Sequence, residues 1–153
     1  MAPRIINGSA ELKTLVGEHL GYSPWLTVTQ ESVNMFAEAT GDHQWIHVDV
    51  ERAKKESPFG GPIAHGYLTL SLIPALLPQV VVTTGFKMGV NYGCNKVRFM
   101  SPVPVGANLR IGGVLKQVDD IAGGVQVTYE VTFEIEGNPK PACVAEVIYR
   151  SYE

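Results

Sequence analysis

The sequence predicts an α+β fold in which an antiparallel sheet of five to six strands wraps around a buried central helix. Three observations carry that expectation. Helix signals fill the first third of the chain, the stretch from Gly66 to Leu77 is apolar on almost every side, and strand signals dominate the chain beyond Pro78. A sheet and a helix in that order satisfy each other, because each buries the other's apolar surface. The chain has 153 residues, 45% hydrophobic and 18% charged. That is ordinary globular composition and enough chain for one core, so residues 1–153 read as a single domain.

Thr29 has the residue type of an N-cap, and Glu31 lies in the first turn, where the helix dipole favours negative charge. Val33, Phe36 and Ala37 then form one apolar face, and Gly41 ends the helix. Asp49 caps a second short helix that runs to about Lys55 and stops at Ser57-Pro58. After the turn-rich Pro58–Pro62 segment comes the apolar stretch, in which Pro74 deprives the Leu70 carbonyl of its helical donor and predicts a kink. With no polar face, that helix is expected to be covered nearly all round. Trp25–Val28 is a first-strand candidate. Val80–Thr84, Gly89–Phe99 and Leu109–Val118 are further ones. Val125, Val127, Tyr129, Val131, Phe133 and Ile135 alternate with polar residues, the cleanest period-two pattern in the chain. Gly137-Asn138-Pro139 turns the chain, and Cys143–Tyr149 returns as the last strand.

Charge and composition exclude several classes. A net charge of −3 with no basic stripe speaks against nucleic-acid binding, although Arg52, Lys54, Lys55, Lys87, Lys96 and Arg98 could meet a small anionic ligand. Cys94 and Cys143 have no zinc-site spacing. No apolar run is long enough to span a bilayer, since Pro74 and Pro78 interrupt the longest. The start lacks a charged-then-apolar leader, so a cytoplasmic, reduced protein without a cofactor is expected.

The residues able to carry chemistry lie in Phe36–His47 and in Pro62–Gly66. Asp42 and His47 stand five apart just beyond a helix stop. On a continuous helix they would point about 140° apart, whereas a turn after Gly41 lets them converge. A histidine near neutral pKa is the natural acid/base, and a carboxylate beside it can orient water or hold the ring. The same residues would serve equally as a turn cap and a structural histidine. A metal set drawn from Asp42, His43, His47 and Asp49 is a further alternative, without the HExxH pattern to support it. His65-Gly66 opens the central helix, whose free N–H groups and dipole suit a developing oxyanion. Gly66 equally serves tight packing, and His65 an orienting role.

Phe36 to His47, followed by Ile63-Ala64-His65-Gly66 and the apolar helix, resembles the MaoC-like dehydratases, which include the (R)-specific enoyl-CoA hydratases. Gly41, Asp42, Ile46 and His47 match the family pattern in register, and the His65-Gly66 pair matches its second motif. Gln44 stands where asparagine is usual and Trp45 where proline is usual. That variant, with Asn91-Tyr92-Gly93 and Asn95–Phe99, looks closest to the branch named for the nodulation protein NodN. The resemblance spans about residues 22 to 150. It implies a hot-dog domain paired into a homodimer, acting on trans-2-enoyl-CoA to give the (3R)-hydroxyacyl thioester. It assigns catalysis to Asp42 and His47 and the oxyanion donor to the Gly66 N–H, beside His65, with Leu77 expected near the far end of the acyl chain. A non-catalytic acyl-thioester binding protein is the main alternative. A hot-dog thioesterase is less well supported, because Gly66–Leu77 contains no Asp or Glu.

Overall fold

The structure is a computed structural model that describes residues 2–153. Its elements are β1 (Arg4–Asn7), α1 (Gly8–Thr14), β2 (His19–Tyr22), β3 (Leu26–Thr27), α2 (Gln30–Thr40), α3 (Trp45–Val48), α4 (Val50–Glu56), α5 (Gly66–Ser71), α6 (Ile73–Leu76), a 3-10 turn (Leu77–Gln79), β4 (Val81–Thr84), β5 (Met88–Phe99), β6 (Asn108–Ile121), β7 (Gly124–Ile135) and β8 (Cys143–Tyr152).

The long strands make one antiparallel sheet in the order β2-β6-β7-β8-β5, with β3 also paired to β6. The α+β class and the six-stranded antiparallel sheet agree with expectation. β7 sits at its centre, and its alternation is visible as burial: Val125, Val127, Tyr129, Val131, Phe133 and Ile135 all face the core. These residues and Leu109, Ile111 and Leu115 of β6 pack with Leu68, Ile73, Leu76 and Leu77 of the central helical segment.

Three details differ from the sequence reading, and a fourth places the disruption expected from Pro74. Val81–Thr84 does not join the main sheet. It pairs in parallel with β1, an N-terminal strand the local pattern does not announce, and Ile6 of β1 is fully buried. The strand expected at Trp25–Val28 shrinks to Leu26–Thr27, while His19–Tyr22 supplies another edge segment. β6 continues past Val118 to Ile121, with a register shift between Leu115 and Gln117. The central helix breaks at Leu72 into α5 and α6, because Pro74 has no N–H to offer Leu70.

That helix is covered on one side within the chain. Leu68, Thr69, Ile73, Leu76 and Leu77 are buried, but Tyr67 is 72% exposed and Pro74 and Ala75 face outward. The apolar outer side continues onto β5, an edge strand exposed along nearly its whole length.

Candidate active site

The site begins where α2 ends. Thr29 caps α2 by accepting the Ser32 N–H, and Gly41 terminates it at φ +82°, a left-handed conformation, with its N–H bonded to the Ala37 carbonyl at 2.8 Å. The chain turns sharply there, and Asp42 Oδ1 accepts the Gln44 N–H at 3.3 Å. The short helix α3 then carries His47, 6% exposed, back toward the core. Asp49 caps the next helix, α4, by accepting the Arg52 N–H at 3.1 Å.

Three tethers fix His47. Gln30 Nε2, from the first turn of α2, donates to the His47 carbonyl at 2.8 Å. The Ile63 N–H donates to the Ile46 carbonyl at 3.0 Å. The ring itself donates from Nδ1 to the Ile63 carbonyl at 2.7 Å. A carbonyl can only accept, so Nδ1 must carry the proton, and the neutral ring keeps its basic lone pair on Nε2.

His65 obeys the same logic in reverse. Its Nε2 donates to the backbone carbonyl of Asp42 at 3.0 Å, leaving Nδ1 as an enclosed lone pair with no partner among the described residues. The two imidazoles stack, with centroids 3.9 Å apart and planes 26° from parallel, and the Phe36 ring is tilted against His65 at 4.9 Å. His65 therefore connects the Asp42 turn to the start of α5. The arrangement brings one side-chain donor atom each from Asp42, His47 and His65 within 4.8 Å of one another.

The metal alternative fares differently with its four residues. His43 pairs with Glu38 at 2.7 Å, and that hydrogen bond is the main reason its pKa is raised. Asp49 is engaged as a helix cap. Of that set Asp42 and His47 meet, joined by His65 instead. Stacked, nearly parallel rings direct their lone pairs side by side, whereas the ligands of one ion converge on it.

His47 and Gly66 line one cleft of about 350 Å³, with Phe59, Ile63, Thr69 and Phe99 among its walls. Among the described residues no side chain caps the first turn of α5, so its N–H groups remain available at the Gly66 end. Space is tight there: a Cβ on Gly66 would lie 3.3 Å from the Phe99 ring. Leu77 is elsewhere. It lines a separate cavity of about 240 Å³ with Pro74, Tyr129 and Tyr149. Gln30 and Phe59 contribute to the site without any sequence signal, while the Ile63 carbonyl and Phe99 come from segments singled out by the resemblance without any assigned role.

A family model described as a MaoC like domain matches residues 11–135. The chain belongs to the MaoC-like dehydratase family. Family membership makes its chemistry that of a hydratase or dehydratase, a hydro-lyase. Over 148 residues it is 53% identical to the 3-hydroxyacyl-thioester dehydratase Z of Mycobacterium tuberculosis, covering 96% of this chain and 97% of that protein. It is 48% identical over 144 residues to Nodulation protein N of Rhizobium leguminosarum bv. viciae, covering 91% and 88%. The R-hydratase of Pseudomonas aeruginosa superposes with a TM-score of 0.72 at 22% identity, covering 90% of this chain and 82% of that one, and shares the hot-dog fold.

Proposed function

We propose that this MaoC-like protein is an (R)-specific enoyl-CoA hydratase, adding water reversibly to a trans-2-enoyl-CoA as a single hot-dog domain. The observation that carries the proposal is the lock on His47: with Nδ1 bound to the Ile63 carbonyl, the base left to the cleft is Nε2. A ring nitrogen of His47 and a carboxylate oxygen of Asp42 lie within 4.8 Å of one another, close enough to share a water.

In this mechanism water lies between Asp42 and His47. His47 Nε2 removes one proton as the water oxygen bonds to C3, and electron density moves onto the thioester oxygen. The Gly66 N–H at the start of α5 stabilises that enolate; one such donor is typically worth about 3 kcal/mol in the barrier. His65 holds the Asp42 backbone in place from the same helix start. A proton then reaches C2 from the same face through the Asp42–His47 pair. Asp42→Asn and His47→Gln are expected to lose most turnover of a 2-enoyl-CoA while retaining the native circular dichroism spectrum. Near wild-type turnover in either folded variant refutes the assignment.

A second reading has an observation of its own. Gln44-Trp45 replaces the usual Asn-Pro, and a relative at 48% identity bears the name Nodulation protein N. A non-catalytic acyl-thioester binding protein would bind the thioester without consuming it. The tethers from Gln30 and Ile63 supply the stiffness a proline would give, which favours the enzyme.

A further inference from the structure

One wall residue of the His47 cleft carries a hydroxyl that the hydration chemistry above does not use. Thr69 lies three residues beyond Gly66 on α5, and both line the cleft with His47. Residues three apart on a helix share a face, and a helical side chain leans back over the turn that precedes it. The Thr69 side chain therefore reaches toward the stretch of backbone that Gly66, having no Cβ, leaves bare.

A serine or threonine inside a helix commonly hands its hydroxyl to the carbonyl four residues back. Two others in this chain do so: Ser71 donates to the Tyr67 carbonyl at 2.6 Å, and Thr40 to the Phe36 carbonyl at 2.8 Å. Thr69 does not. The His65 carbonyl receives the Thr69 N–H at 3.2 Å, while the hydroxyl finds no partner among the described residues. Nor is its oxygen one of the enclosed polar atoms left unpaired, although only 2% of Thr69 is exposed. What little of this residue is uncovered thus includes the hydroxyl, and it opens on the cleft. Ser101, the other hydroxyl on the wall, is only half-buried.

We infer that the Thr69 hydroxyl is a second donor to the thioester oxygen, beside the Gly66 N–H. The helix behind Gly66 is six residues long before its break at Leu72, so few aligned peptide dipoles assist that N–H. A side-chain donor aimed at the same oxygen adds stabilisation as charge develops there. The inference rests on the acyl-thioester reading above.

The test binds saturated butyryl-CoA, isotope-labelled at its thioester carbonyl, to the full-length protein and follows the carbonyl stretch by difference infrared spectroscopy. Hydrogen bonds to a carbonyl lower its stretching frequency. Wild type is expected to lower the band, Thr69→Val to give back a substantial part of that shift, and Thr69→Ser to keep it. Should Thr69→Val not fold, Thr69→Ala is read in its place. Crotonyl-CoA turnover should fall about a hundredfold in Thr69→Val with KM little changed, and stay within several-fold of wild type in Thr69→Ser. A Thr69→Val band as low as that of wild type overturns the inference, as does a wild-type band that does not move on binding. Wild type that fails to bind the thioester overturns both readings. Absent turnover, with the shift lost in Thr69→Val and kept in Thr69→Ser, removes the hydratase reading and leaves the Thr69 contact standing.

Discussion

A histidine is a base only on the nitrogen its surroundings leave free. For His47 that choice is made by a backbone carbonyl, and for His65 by the carbonyl of Asp42, so two imidazoles in van der Waals contact have opposite tautomers. The polar residues of the cleft are thus oriented mostly by main chain. A different residue-scale consequence concerns alkali. Burial raises the Tyr129 phenol from 10.0 to about 12, and raises the Cys143 thiol from 9.0 to about 11. Both are acids whose folded pKa lies above the unfolded value, so the native state binds more protons than the unfolded one in between. Their contribution to stability is complete below about pH 9 and is lost as pH rises toward about 12. Tyr129 alone accounts for about 3 kcal/mol across its window. Urea midpoints should fall steadily from about pH 9 upward, and less steeply in Tyr129→Phe. A flat midpoint over that range contradicts the burial of these groups.

At the scale of elements, the critical connection joins α2 to α3. Gln30 holds the His47 carbonyl from a helix whose own start is fixed by Thr29. Gln30→Ala leaves that part-buried carbonyl short of a donor, at a cost of about 1 kcal/mol. It should lower kcat while leaving KM nearly unchanged, because the ring shifts and the rest of the cleft does not. Unaltered kcat in a folded variant would show that Ile63 suffices. The helix caps at Thr29 and Asp49, the stop at Gly41 and the alternation of β7 are legible in the sequence because each is a local event. So is the convergence of Asp42 and His47, once Gly41 is recognised as a stop. The β1–β4 pairing is not, since its partners lie 77 residues apart along the chain. Nor are the Gln30 and Ile63 tethers, which depend on how α2 and the loop before α5 settle against α3. Pro74 announces a disruption, but the break falls two residues earlier, at Leu72. Leu77 lies at the end of the central helical segment, yet the cavity it lines is not the one that holds His47.

The whole molecule leaves one apolar side uncovered. Tyr67 is 72% exposed, and on β5 Met88, Tyr92 and Phe99 are 56%, 55% and 48% exposed. β5 is an open sheet edge, and an edge flanked by large apolar side chains invites pairing with another strand. Hydropathy marks these residues for burial without saying which chain covers them. A homodimer joined along β5 would cover both the edge and the outward face of α5. Light scattering should give twice the chain mass, and Val90→Lys should shift it toward the monomer. A monomeric wild type would contradict the pairing. No helix among the described residues is long and apolar enough to cross a membrane. Whether His47 is poised for hydration is best tested by adding the protein to a trans-2-enoyl-CoA and following loss of the conjugated absorbance, with chiral analysis of the product. The proposed mechanism predicts rapid loss to the (3R)-hydroxyacyl-CoA, abolished in His47→Gln. Tight binding of the thioester with no loss of absorbance would contradict it.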